Sequence, residues 1–84
     1  MAQSYTDVVG DNDWHDIVAT HPGVAGQRVV VQAKGGTFNY VYFGGASAPG
    51  SKDGLMLPSV ASVTGTADHI WVRGDCRFAI MVED

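Results

Sequence analysis

The sequence predicts an all-β fold: a small antiparallel β-sandwich or jelly-roll-like barrel of seven or eight short strands. Three observations predict it. Short runs rich in Val, Ile, Tyr, Phe and Trp recur at spacings of about 8–12 residues, with Gly, Pro, Asn and Asp turn signals between them. No segment keeps a helical period beyond one or two turns. The chain of 84 residues is the length of one domain, residues 1–84, with neither an internal repeat nor a low-complexity tail.

In chain order, residues 1–7 are polar and read as an extended N-terminal arm, and Val8 and Val9 add a little strand character. The stretch Gly10-Asp11-Asn12-Asp13 is a turn signal. Residues 14–19 alternate and carry β-branched side chains between two turns, which favours a strand over a short helix. His21-Pro22-Gly23 suits a tight turn, because Pro fixes φ and Gly accepts positive φ. Residues 27–33, QRVVVQA, and 37–43, TFNYVYF, read as two strands of a hairpin closed by Lys34-Gly35-Gly36. Residues 44–54, GGASAPGSKDG, form the longest connection. Residues 55–57 and 60–63 are short strands, and 64–68 a turn.

Residues 68–84 then read as a C-terminal hairpin, 70–73 against 77–82, with Gly74-Asp75 as a type II′ turn. Paired in that way, the ribbon has His69, Trp71, Arg73, Cys76, Phe78, Ile80 and Val82 on one face and Ile70, Val72, Arg77, Ala79 and Met81 on the other. Both faces are rich in apolar residues, whereas a sheet with one wet side alternates apolar and polar. The 27–43 hairpin has the same property. The sequence therefore predicts core on one face and subunit contact on the other. The expected contact residues are Tyr40, Tyr42, Ile70, Val72, Arg77 and Met81.

Composition points the same way. A chain this short buries only about 60–65% of its unfolded surface, and one cysteine cannot form an intrachain disulfide. Yet 45% of its residues are hydrophobic and only 17% charged, below the usual quarter. Small apolar domains without covalent staples gain stability by oligomerising. The net charge of −4, with five Lys and Arg, speaks against nucleic acid and anionic membranes as partners. No signal peptide or membrane span is visible, so a cytoplasm, or a particle assembled there, is the expected location.

Candidate chemistry is sparse. His15, His21 and His69 are far apart in sequence, and with Cys76 they would need to converge on one point to hold a metal. Asp11-Asn12-Asp13 begins like a calcium loop but lacks its later Gly and Glu, and reads as an Asx-rich turn. Gly35-Gly36 and Gly44-Gly45 follow strands but open no helix, so they are turn glycines and not phosphate loops. Cys76 reads as a small hydrophobe. No nucleophile–base pair or acid–base pair is apparent, and no catalytic residue, cofactor site or metal ligand is assigned. The aromatics Phe38, Tyr40, Tyr42, Phe43, Trp71 and Phe78 read as core and interface. Alternatives are a carbohydrate- or receptor-binding module using exposed Trp14, Trp71 and Tyr, and a metal-dependent barrel enzyme of the cupin type.

The runs YVYFGGASAPGSKDG, ADHIWVRGD and IMVED resemble small all-β virion proteins of tailed bacteriophages and prophages, over roughly residues 38–84. The resemblance implies a jelly-roll or sandwich domain, without enzymatic activity, that assembles as a trimer or ring on a capsid, tail or fibre. It implies as partners further copies of the chain and other virion proteins, and the virion as location. It carries over no functional residue.

Overall fold

In the structure, a computed structural model, residues 3–36, 39–50 and 54–83 are described. Their strands are β1 (Gln3–Val9), β2 (His15–Asp16), β3 (Arg28–Ala33), β4 (Asn39–Phe43), β5 (Leu55–Leu57), β6 (Ser62–Thr66), β7 (Ile70–Arg73) and β8 (Arg77–Glu83). They form two four-stranded antiparallel sheets, ordered β1-β8-β3-β6 and β2-β7-β4-β5. The pairs are nested: β1 with β8, β2 with β7, β3 with β6, β4 with β5. A long hairpin rolled up on itself gives this order, which is the jelly-roll arrangement. The expected all-β sandwich is therefore observed.

The two predicted hairpins are not hairpins. β7 belongs to the second sheet and β8 to the first, and β3 and β4 are divided in the same way. The reason lies in the apolar faces noted above. In a flat ribbon, Ile70 and Val72 would point away from Phe78 and Ile80. With the strands on facing sheets, both sets point inward, and all four are at most 2% exposed. Burying each such side chain is worth roughly 1.5–3 kcal/mol, and a ribbon would forfeit one set. Val29, Val31 and Ala33 of β3 meet Val41 of β4 across the same core. Gly74 thus opens an arch between sheets. Its N–H donates to Asp11 O at 2.9 Å, and Gly10 N–H donates to Cys76 O at 2.8 Å.

Three smaller expectations change. Residues 3–7 of the expected N-terminal arm are part of β1, which pairs with β8 through a register shift between Tyr5 and Val8, and residues 1–2 lie outside the described residues. The strand expected over 14–19 is two residues of β2 followed by a one-turn helix, α1 (Ile17–Thr20). Asp16 Oδ1 accepts from Val18 N–H at 2.9 Å, capping that turn, and Ile17 swings fully into the core. The turn expected at 64–68 is largely strand, because β6 runs to Thr66 beside β3. Gly65 permits this: a Cβ there would stand 2.8 Å from the Phe43 ring, which crosses from β4 to β6. The expected strand residues Thr37 and Phe38 lie outside the described residues.

Candidate functional site

Alternation fixes what the second sheet shows to solvent. In β4, Asn39 and Val41 point inward, so Tyr40 and Tyr42 point outward. In β7, Ile70 and Val72 point inward, so Trp71 and Arg73 point outward. The register sets Tyr42 opposite Trp71, and Tyr40 between Arg73 and Met56. Trp14, just before β2, joins them with its ring centroid 6.4 Å from that of Tyr40 and tilted by 59°. The result is a half-buried aromatic face of Trp14, Tyr40, Tyr42 and Trp71.

The connection after β4 lies along this face. Trp71 Nε1–H donates to Gly45 O at 2.9 Å and Trp14 Nε1–H to Gly50 O at 3.1 Å. Both indole donors are therefore used within the protein, which fixes the rings. Such a face suits apolar contact or stacking more than polar recognition.

The outer face of the first sheet is different. Ser4, Asp7, Val30, Gln32, Ala79 and Met81 line a shallow depression of about 290 Å³ beside the β1 irregularity. Asp7 Oδ2 pairs with Lys34 Nζ at 2.8 Å on its rim.

The six residues expected at a subunit contact fall into three places. Tyr40 and Tyr42 lie on the aromatic face, and Arg77 and Met81 on the outer face of the opposite sheet. Ile70 and Val72 are core, with no exposed surface, because β7 and β8 do not share a ribbon. That part of the expectation is corrected.

The polar side chains serve the fold. Asn39 is fully buried; its Nδ2 donates to Gly35 O at 2.7 Å and Leu57 O at 3.1 Å, and its Oδ1 accepts from Cys76 Sγ at 3.4 Å. Burial is the main cause that pushes the Cys76 thiol above its ordinary pKa, so it is a poor nucleophile. At the other end of β7, Asp16 Oδ2 meets His69 Nδ1 at 2.8 Å. His15 Nε2 meets Asp11 Oδ1 at 2.8 Å, and His21 Nε2 donates to Thr6 O at 2.8 Å. Each histidine thus has its own local partner. Among the described residues, no three His, Cys, Asp or Glu side chains are grouped to hold a metal ion.

Asn39 and Asp16 were not singled out in the sequence, though signals existed. Asn39 occupies an inward position of an alternating strand. Asp16 precedes the apolar pair Ile17-Val18, as a helix cap does.

Comparison with protein-family models, curated proteins and solved structures finds no match.

Proposed function

We propose that this chain is a non-enzymatic structural protein of a phage or prophage particle. It works as a homo-oligomer, a trimer, that decorates or cements the capsid or tail assembly. The observation that carries the reading is the aromatic outer face of Trp14, Tyr40, Tyr42 and Trp71 on a domain whose interior is already filled. The interior positions hold Val29, Val31, Val41, Val72, Phe78 and Ile80, so the inside of the roll is packing, which supports a role made of surface contacts. A second apolar surface outside the core is what assembly uses. The jelly-roll order adds an analogy, since capsid domains share it with lectins and cupins. The resemblance of residues 38–84 supplies the particle.

Light scattering on the purified chain at micromolar concentration tests the reading. An oligomer is expected, and a monomer would sink it. Antibody raised against the chain is expected to label purified particles.

A second reading is favoured by the fixed rings. Trp14 and Trp71, held by their N–H bonds, offer flat surfaces of the kind on which sugar rings stack. Glycan-array binding lost in a folded Trp14→Ala or Trp71→Ala variant would replace the first reading with this one.

A further inference from the structure

The two sheets have four edges, and short connections gather them into two sides. β1 and β2 form one side of the sandwich; β5 and β6, joined by residues 58–61, form the other. The β1–β2 side carries Asp7, Asp11, Asp13 and Asp16, and β1 is broken by its register shift. Charges and bulges keep a strand edge from pairing with another chain. Residues 54–67, which make up β5, β6 and their connection, have neither. Their sequence, GLMLPSVASVTGTA, includes no charged residue, and β6 keeps an unbroken register with β3 over five pairs.

Three of the four exposed large apolar side chains among the described residues lie on the same side; the fourth, Val9 at 63%, is on β1. Leu55 is 51% exposed, Met56 60% and Val60 72%. Val60 also has φ of 59°, a left-handed conformation that β-branched residues avoid. Its N–H donates to Ala33 O at 2.8 Å, and its carbonyl accepts from Gln32 Nε2 at 3.2 Å, so the turn is held there. Gly or Asn would hold this turn with less strain. Folding alone does not account for a strained valine pointing into water, but a covering surface does.

We propose that the β5–β6 side, with its uncharged strands, is where one copy of the chain meets a second copy. The inference deepens the homo-oligomer reading and rests on it. Charge permits a copy as occupant: each chain carries a net −4, and this side lets two copies meet without bringing the carboxylates of residues 7–16 together. Edge chemistry agrees, since an open uncharged strand edge is matched by another of its kind. Size agrees too. A standard contact takes about 800 Å² from each partner, about one-sixth of this chain's 4614 Å² surface. One whole side of a body 32 × 26 × 18 Å is of that order.

The test is sedimentation equilibrium on the full chain, its M56E/V60D variant and a D13K variant altered on the opposite side. Both replaced side chains of the double variant are exposed, and Asp tolerates the turn at position 60 better than Val. The wild type and D13K are expected to associate alike. M56E/V60D is expected to keep its far-UV circular dichroism and to weaken association by at least about thirtyfold, the loss of a hot spot. A folded M56E/V60D that associates like the wild type would overturn the assignment of this side and leave the homo-oligomer reading standing. Weakened association in D13K would also overturn it. A monomeric wild type would remove both readings together. If M56E/V60D does not fold, T64K places a charge on the exposed side of β6 and gives the same readout.

Discussion

Asn39 and Asp16 stand at opposite ends of the central strand pair β4–β7, and each ties a sheet to its connections. Asn39 joins the 34–36 connection, β5 and the arch at Cys76. Asp16 joins α1, His69 and the start of β7, where Ile70 N–H reaches its Oδ1 at 3.4 Å. They differ in water. Asn39 has none, while the Asp16 side chain keeps 12% of its exposure beside a His69 with 37%. A neutral amide, donor on one side and acceptor on the other, can be sealed in. A carboxylate stays where solvent and a histidine share its charge. The two residues are the same kind of clamp, chosen by how dry its place is.

Exchanging the two chemistries breaks this comparison most directly. Asn39→Asp places a carboxylate against Gly35 O and Leu57 O with no donor to offer either. The expected loss is about 3–5 kcal/mol at neutral pH, read from urea unfolding. Part of it should return in acid, when the protonated side chain can donate again. The reciprocal Asp16→Asn should cost only about 1 kcal/mol, because Asn still caps α1 and loses mainly the charge-assisted contact to His69. If Asp16→Asn proved the more damaging change, burial would not be what distinguishes the two sites.

Between these in size lies Gly74→Ala. A Cβ at Gly74 would run into Asn39 Oδ1 and come within 3.1 Å of its Cα. Overpacking of this kind costs about 1–3 kcal/mol. The same unfolding measurement in the Asn39→Ala background should recover part of that cost, since the obstructing amide is gone. Full additivity of the two changes would show that Gly74 is needed for another reason.

These positions also show what the sequence could and could not say. The strand count, most strand positions and inward residues such as Phe78 and Ile80 were legible from short β-branched runs and alternation. Pairing was not. The GDC and KGG segments look alike whether they close a hairpin or arch between sheets, because both need only a short, Gly-containing turn. The deciding fact is global: inward sets on β7 and β8 share one core only if the strands are separated. The site followed the same rule. Tyr40 and Tyr42 were legible as outward aromatics. Trp14 stood with Trp71 and Tyr only in the carbohydrate- or receptor-binding alternative, its place against Tyr40 came from the fold, and Ile70 and Val72 were misplaced with the ribbon. The apolar β5–β6 side was visible as an uncharged run, but its meaning depends on both strands being edges.

Asp11 extends the comparison to a third clamp, the most exposed of the three, and predicts the smallest effect. Its Oδ1 accepts from Asp13 N–H at 2.8 Å and meets His15 Nε2. The Asp13 amide first, and His15 second, hold its carboxyl below the ordinary carboxylate value. A carboxyl whose folded pKa is depressed adds stability above its unfolded pKa, about 3.9. That addition is lost as pH falls through the lower folded value. The melting temperature of the wild type should therefore exceed that of Asp11→Ala by a small margin at pH 5, and the margin should shrink below about pH 3.9. A margin that grew in acid would mean that the loop prefers the protonated form. The ordering from Asn39 through Asp16 to Asp11 would then not follow access to water.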